Sequence, residues 1–335
     1  MKLNFIHLCF NLVRKMNLPR SPIIWSRILF YWVVVKLSFF LKTINLRLPP
    51  LNTLVFVTLR CNKACSFCHY IDGLNCENSD EYEMNLDTFT RILNSRKICS
   101  VGRICFYGGE PLLNSDIFKM IDLAKSRNYI TSIFTNGLLL EKYKEKILEG
   151  NVDFITISYY QEDIDNIFNI VKELSPHVAI NISYMVSEGR LDELPVVFEN
   201  CNLMGVGMIT IENYLENDHH SEIPLCDHSE QFYSMKNELT MKYSGHYLIR
   251  WSELASDWKK NRKISCTHFW DTRVINAKGE LLPCCHYPLS EFDDGDGFLN
   301  TDKMRFLRKS FKDGRPNRLC ENCHFLQNSE LWFKF

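Results

Sequence analysis

The chain has 335 residues, 46% of them hydrophobic and 24% charged, and a net charge of −1. That length holds one large domain plus a smaller one, the composition is that of an ordinary globular protein, and the near-zero charge excludes a global field for polyanions. The 14 cysteines are unevenly spaced in a chain too long to need a disulfide framework, which favours metal-bound thiolates in a reducing cytosol over secretion.

Residues 1–50 stand apart. They hold Lys2, Arg14, Lys15, Arg20, Arg27, Lys36, Lys42 and Arg47 and no Asp or Glu. Taking this +8 from the overall −1 leaves −9 for residues 51–335, a balance that argues against nucleic acid. The apolar run "SPIIWSRILFYWVVVKLSFFLKTI" over 21–44 is interrupted by Arg27 and Lys36, each costing roughly 2.5–3.5 kcal/mol near the centre of a bilayer. Its longest uncharged stretch, Ile28 to Val35, is far short of the roughly 20 residues that cross one. No uninterrupted apolar core with a small-residue cleavage site marks a signal peptide. Two placements remain. The Lys/Arg and Trp/Phe/Tyr content suits a helix lying on an anionic cytoplasmic membrane surface. Arg27 and Lys36 fall on opposite sides of a helical wheel, which points instead to a helical extension packed under the rest of the protein.

From residue 53 short β-branched runs alternate with longer amphipathic ones. Strands are predicted at "TLVFVTL" (53–59), "RICFYGG" (103–109), "ITSIFTN" (130–136), "FITISYY" (154–160), "VAINISYM" (178–185) and "VGMITIE" (206–212). Helices are predicted at 85–97, 115–127 and 163–174, the first two capped by Asn85 and Ser115. Strands alternating with helices imply right-handed βαβ units and a parallel sheet, with ligands beyond the carboxyl ends of the strands. After about residue 245 the rhythm changes. A hairpin turning at "AKGE" within 266–287, an acidic loop at 291–297, a basic helix near 302–312 and a final "CENC" (320–323) follow.

The thiols carry the chemistry. "LRCNKACSFCHY" (59–70) places Cys61, Cys65 and Cys68 within eight positions, one thiolate short of the four that close a zinc or iron–sulfur site. Read alone, the triplet fits either a cubane with one open iron or zinc with a fourth ligand such as His69. "YGGEP" (107–111) ends the second predicted strand, "TNG" (135–137) the third, and Ser158 lies late in the fourth. A second set, Cys266, Cys284, Cys320 and Cys323, brackets the hairpin and the C-terminus; four thiolates there fit a closed cluster or a tetrahedral zinc.

The C-x3-C-x2-C triplet with Phe67 before its last cysteine resembles the radical S-adenosylmethionine (SAM) superfamily, as does the glycine–glycine–glutamate run that follows. The second cysteine set resembles the SPASM/twitch domain of that superfamily, shortened because no cysteine follows Cys323. The resemblance covers residues 53–325 and implies an α/β fold: a partial (β/α)6 TIM-like barrel with a small C-terminal SPASM/twitch iron–sulfur domain. The domains expected are 1–50, basic and apolar; 51–245, the barrel; and 246–335, the auxiliary-cluster domain. It further implies a 4Fe-4S cluster on Cys61, Cys65 and Cys68 that binds SAM, and an auxiliary 4Fe-4S cluster on Cys266, Cys284, Cys320 and Cys323. Phe67, Gly108, Gly109, Glu110, Thr135, Asn136, Ser158 and Asn181 are the implied SAM-binding residues. Of the remaining cysteines, Cys226 in "IPLCDHSE" (223–230) is a candidate hydrogen-atom donor, and the others read as buried small hydrophobes.

The implied enzyme cleaves SAM reductively to a 5′-deoxyadenosyl radical that takes hydrogen from a C–H bond. A flavodoxin or ferredoxin would supply the electron. Oxidation or epimerisation of a sugar-, cyclitol- or lipid-linked substrate is the expected outcome, in the cytoplasm and with peripheral contact at the inner face of the membrane. The alternatives are a maturase acting on a ribosomally made peptide and a non-catalytic zinc or iron–sulfur binding protein.

Overall fold

The computed structural model describes residues 2–15, 22–46, 48–65, 68, 82–95, 102–214, 223–225, 229–251, 266, 268–285, 300–315 and 320. They form two compact units, one drawn from 1–18 and 135–263, the other from 19–134 and 264–322.

The second unit is built on β1 (Asn52–Thr58), β2 (Arg103–Gly108) and β3 (Ile130–Thr135, whose last residue belongs to the other unit). All three run parallel, with Leu54 opposite Cys105 and Cys105 opposite Ser132. β1 is buried at every position after its first, as expected of a central strand covered on both faces. Helix α3 (Leu86–Asn94) lies between β1 and β2 in sequence, and α4 (Ile117–Ser126) between β2 and β3. Asn85 caps α3 as predicted, accepting from Thr88 N at 2.8 Å. Ser115 does not cap α4. That helix starts two residues later, and Asn114 organises its entry by accepting from Asp116 N at 2.9 Å. The Asn114 amide also donates to Val57 O and Met84 O, each at 2.9 Å, and so ties β1 to the start of α3.

The C-terminal hairpin belongs to this same sheet. After the short helix α9 (His268–Asp271), β8 (Thr272–Ile275) pairs parallel with β1, and β9 (Leu281–Leu282) pairs antiparallel with β8. The turn falls where "AKGE" places it: Asn276 Oδ1 accepts from the backbone N–H groups of Lys278 and Glu280, at 3.1 and 2.9 Å. Helix α10 (Asp302–Lys312) contributes Arg308, which is 1% exposed and donates to Phe269 O, Ile44 O and Asn300 Oδ1 at 2.9–3.1 Å. Burial, with Arg273 and Arg305 nearby, lowers its pKa to about 9.

The first unit repeats the alternation. Strands β4 (Phe154–Ser158), β5 (Ala179–Val186), β6 (Met208–Asn213) and β7 (Leu248–Trp251) run parallel in that order. In sequence they are separated by α6 (Ile164–Leu174), α7 (Leu194–Met204) and α8 (Glu230–Tyr243), while α5 (Lys144–Leu148) precedes β4. Strand and helix thus alternate from β1 to α8, the order of a partial (β/α)6 barrel, and β7 adds a parallel strand that the periodicity did not show.

Helix α1 (Lys2–Lys15) belongs to this unit. Its Leu12, 2% exposed, packs on Phe154, Ala179, Met208 and Leu248, the first residues of the four strands. α1 therefore plugs the amino ends of β4–β7, as the packed-extension reading expects for this part of the segment. Gly207 admits the plug, since a Cβ there would meet Leu12 Cδ1 at 2.5 Å. Leu12→Ala should destabilise the protein by about 2–5 kcal/mol, measured as a fall in the denaturation midpoint at constant iron content.

Candidate functional site

The cysteine loop leaves the carboxyl end of β1 and is held at both ends. On the exit, Thr58 Oγ1 donates to Glu83 Oε2 at 2.6 Å, and Arg60 meets both Glu83 oxygens at 3.0 Å. On the return, Leu59 N donates to Tyr82 O at 3.2 Å, and Met84 N to Val57 O at 2.8 Å. The clasp draws residues 58–60 against 82–84, so the intervening cysteines are presented from one closed loop. Cys61, Cys65 and Cys68 are each half-buried, and Cys68 N donates to Cys65 O at 3.1 Å. Among the described residues no three His, Cys, Asp or Glu side chains are arranged as a preformed metal site. The donor chemistry nevertheless fits a cubane: three thiols at C-x3-C-x2-C spacing on one clasped loop, accessible beyond the strand end. Phe67 and His69 lie outside the described residues.

The "GGE" run sits at the carboxyl end of β2 and rests on this clasp. Gly109 N donates to Thr58 O at 2.9 Å, and Glu110 N to Arg60 O at 2.7 Å. A Cβ on Gly108, whose φ is +152°, would lie 2.2 Å from Thr58 O; one on Gly109 would lie 2.2 Å from Arg60 O and 2.6 Å from Leu59 O. The two glycines are therefore required first by the exit of β1. Glu110 is fully buried, and its Oε1 accepts from Leu112 N at 3.0 Å, capping the single turn Pro111–Leu113. Gly109→Ala must push the cysteine loop off its clasp. It should cost about 1–3 kcal/mol or more and lower the iron bound after reconstitution, measured together by denaturation and iron assay.

In the other unit, Thr135, Asn136 and Ser158 also lie toward strand ends. Thr135 and Asn136 are buried and shape the turn after β3: Gly137 N donates to Thr135 Oγ1, and Leu138 N to Asn136 Oδ1, both at 3.1 Å. Ser158 is the last residue of β4 and half-buried. Asn181, 5% exposed in the body of β5, accepts from Thr210 Oγ1 at 3.1 Å. Cys226 lies outside the described residues.

One face of β4–β7 carries a polar row. Parallel register aligns Thr156 with Asn181, Ser158 with Ser183, Ser183 with Thr210 and Thr210 with Arg250, and alternation puts Glu212 on the same face, one step nearer the strand ends. The opposite face meets the helices: Tyr184 donates to Glu193 at 2.9 Å, and Tyr159 accepts from Asn200 at 2.8 Å. Burial pushes the Glu212 carboxyl above its ordinary value, while Arg250 pulls it back. An acid and a guanidinium held among hydroxyls beyond the middle of the strands suit a polar substrate group. Sequence reading missed Ser183, Thr210, Glu212 and Arg250, although in "VGMITIE" Thr210 and Glu212 interrupt the apolar run at every second position.

Of the second cysteine set, Cys266 and Cys320 are buried, Cys284 is half-buried and Cys323 lies outside the described residues. Cys285 is buried with its Sγ 3.8 Å from His268 Nε2. Burial, with Arg103 nearby, lowers the His268 pKa to about 4, so the ring is neutral at pH 7.

Residues 55–160 match the radical SAM superfamily, a span that runs from β1 just past β4 and includes the cysteine triplet, the "GGE" run, Thr135, Asn136 and Ser158. PqqA peptide cyclase of Granulibacter bethesdensis is 24% identical over 268 residues, covering 70% of this chain and 68% of that one. A probable GTP 3′,8-cyclase of Methanococcus maripaludis is 26% identical over 252 residues, covering 68% and 82%. Among solved structures, Streptococcus suis SuiB bound to precursor peptide SuiA matches with a TM-score of 0.61 at 15% identity, over 86% of this chain and 72% of that one. The protein anSMEcpe with bound AdoMet and a Cp18Cys peptide matches at 0.57 and 18% identity, over 85% and 87%. The fold is thus that of a partial TIM-like barrel, and residues 55–160 carry the likeness to the radical SAM superfamily, whose members work with SAM and a 4Fe-4S cluster.

Proposed function

We propose that this enzyme modifies a peptide. The observation that carries the reading is the likeness over most of the chain to proteins whose partners are peptides, a peptide cyclase by sequence and SuiB and anSMEcpe by fold. This replaces the sugar-, cyclitol- or lipid-linked substrate expected from the sequence, and with it the choice between oxidoreductase and epimerase, because none of these relatives favours it. The polar row from Ser158 to Arg250 supports it too: a peptide brings amides and charged side chains that hydroxyls, a carboxyl and a guanidinium can hold.

In this reading Cys61, Cys65 and Cys68 hold the 4Fe-4S cluster, and Phe67, Gly108, Gly109, Glu110, Thr135, Asn136, Ser158 and Asn181 surround SAM. Bound there, the pair would supply one-electron chemistry at a substrate C–H bond. Glu212 and Arg250 orient the peptide. Residues 51–245 act as the barrel and 246–335 as the auxiliary domain, in which Cys266, Cys284, Cys320 and Cys323 hold a second cubane. Cys226 stands as a candidate hydrogen-atom donor to the peptide. A flavodoxin or ferredoxin delivers the electron in the cytoplasm.

The test is to incubate reduced, reconstituted enzyme and SAM with peptide pools or with GTP, following 5′-deoxyadenosine and product mass. Peptide-dependent 5′-deoxyadenosine with a peptide mass change is the expected result. The GTP cyclase likeness, which covers 82% of that relative, makes GTP the second reading; turnover with GTP alone would replace the peptide proposal. Glu212→Gln should raise the KM for the active peptide about tenfold, the loss of roughly 1.4 kcal/mol of binding, with iron content and substrate-free SAM cleavage unchanged.

A further inference from the structure

Helix α2 (Pro22–Phe40) has two apolar faces, and the fold uses only one. Toward the protein, Val35 is the buried residue, and Phe39 meets Trp270 of α9 edge-on at 5.5 Å between ring centres. Lys42, just past the helix, caps this contact with its Nζ 4.0 Å from the Phe39 ring centre and 5.5 Å from that of Trp270. On the other side Ile23, Phe30, Val33, Leu37, Phe40 and Leu41 are 78%, 58%, 42%, 54%, 81% and 66% exposed. At about 100° per residue, Ile23, Phe30 and Leu37 form a stripe opposite Val35.

The same wheel reassigns the two charges. Arg27 and Lys36 do lie on opposite sides of the helix, but each borders the exposed stripe, one on either flank. The exposed half of α2 is thus an apolar ridge between two cations, the arrangement of a helix that lies in a membrane interface. The segment's charge names the surface: residues 19–50 hold Arg20, Arg27, Lys36, Lys42 and Arg47 and no acidic residue, complementary to anionic headgroups. By length and composition α2 could also cross a bilayer, but a crossing register would place Arg27 and Lys36 in the hydrocarbon and strip Phe39 from Trp270 of α9.

We propose that the exposed face of α2 docks the enzyme on an anionic lipid bilayer, with the helix axis in the plane of the surface. This holds whatever the substrate. Full-length reconstituted protein should sediment at least about tenfold more with vesicles of phosphatidylethanolamine and phosphatidylglycerol than with phosphatidylcholine vesicles. It should be released by high salt and by alkaline carbonate. Ile23→Ser/Phe30→Ser/Leu37→Ser should lower binding about tenfold without changing iron content. Arg27→Glu/Lys36→Glu, which leaves the apolar contacts intact, should lower binding to the anionic vesicles alone and serves if the triple variant fails to fold. Unchanged binding in both variants overturns the proposal. So does resistance to carbonate, which would mean a spanning helix. Dimerisation in vesicle-free buffer that the triple variant abolishes, with no vesicle binding by the parent, would assign the face to a second copy.

Discussion

Replacing Cys61, Cys65 and Cys68 together with Ala should abolish reductive cleavage of SAM while leaving a folded protein that keeps about half of the roughly eight irons of two cubanes. The fold tolerates the change because these half-buried thiols lie beyond the clasp that closes their loop. Thr58, Arg60 and Glu83 hold the ends, and Gly108 and Gly109 rest on the same backbone, so removing the thiols removes ligands without unpinning the strand. Iron assay and 5′-deoxyadenosine release on dithionite reduction provide the two readouts. Cleavage surviving in the triple variant would sink the assignment of these cysteines. Losing all the iron would mean that the second cysteine set holds none by itself.

What the sequence made legible was whatever repeats with a short period or sits in a fixed spacing. The six predicted strands are all present, shifted by no more than two residues at either end, because each run has a buried centre, six of seven residues in β1 and Ile104, Cys105 and Phe106 in β2. β7 escaped because it is four residues long and carries Arg250 and Trp251 where an apolar pattern was sought. Non-local pairings were invisible. Nothing in "TRVI" says that β8 lies parallel to β1 more than two hundred residues away, so the hairpin's pairing with the first strand could not be read from the sequence. The segment 1–50 was read as one object, yet Leu12 fills a gap left by Gly207 at the foot of β4–β7, while α2 packs beside Trp270. In the site, the glycines were legible as a motif but not in their mechanical role, since a contact with Arg60 O is a fact of three dimensions. Glu212 and Arg250 became a pair only through the register of β6 and β7.

The adjacent pair Cys284 and Cys285 gives the sharpest test of the C-terminal cysteine set, since single substitutions should have opposite outcomes. β9 ends at Leu282, and the two cysteines that follow enter different surroundings. Cys285 turns into the protein, 8% exposed, with its sulfur 3.8 Å from the buried, neutral ring of His268. A thiol so placed fills core space. Cys284 remains half-buried. Cys266 and Cys320, both 9% exposed, are the other described members of the set. As proposed, four thiolates from Cys266, Cys284, Cys320 and Cys323 would close a cubane and leave no iron for SAM or substrate, so such a site would serve electron transfer. Cys284→Ala should therefore lose about four irons and stall on the peptide while still cleaving SAM. Cys285→Ala should keep all of its iron and its turnover, and lose only the about 1–3 kcal/mol of stability expected from emptying a small buried site. Iron content, electron paramagnetic resonance of the reduced protein and peptide turnover, measured on both variants, separate the two residues. Full iron in Cys284→Ala together with loss in Cys285→Ala would move the ligand to Cys285 and make its contact with His268 part of the cluster's surroundings. A substrate-dependent change in the spectrum of the second cluster would show an open iron there and end the closed-site reading.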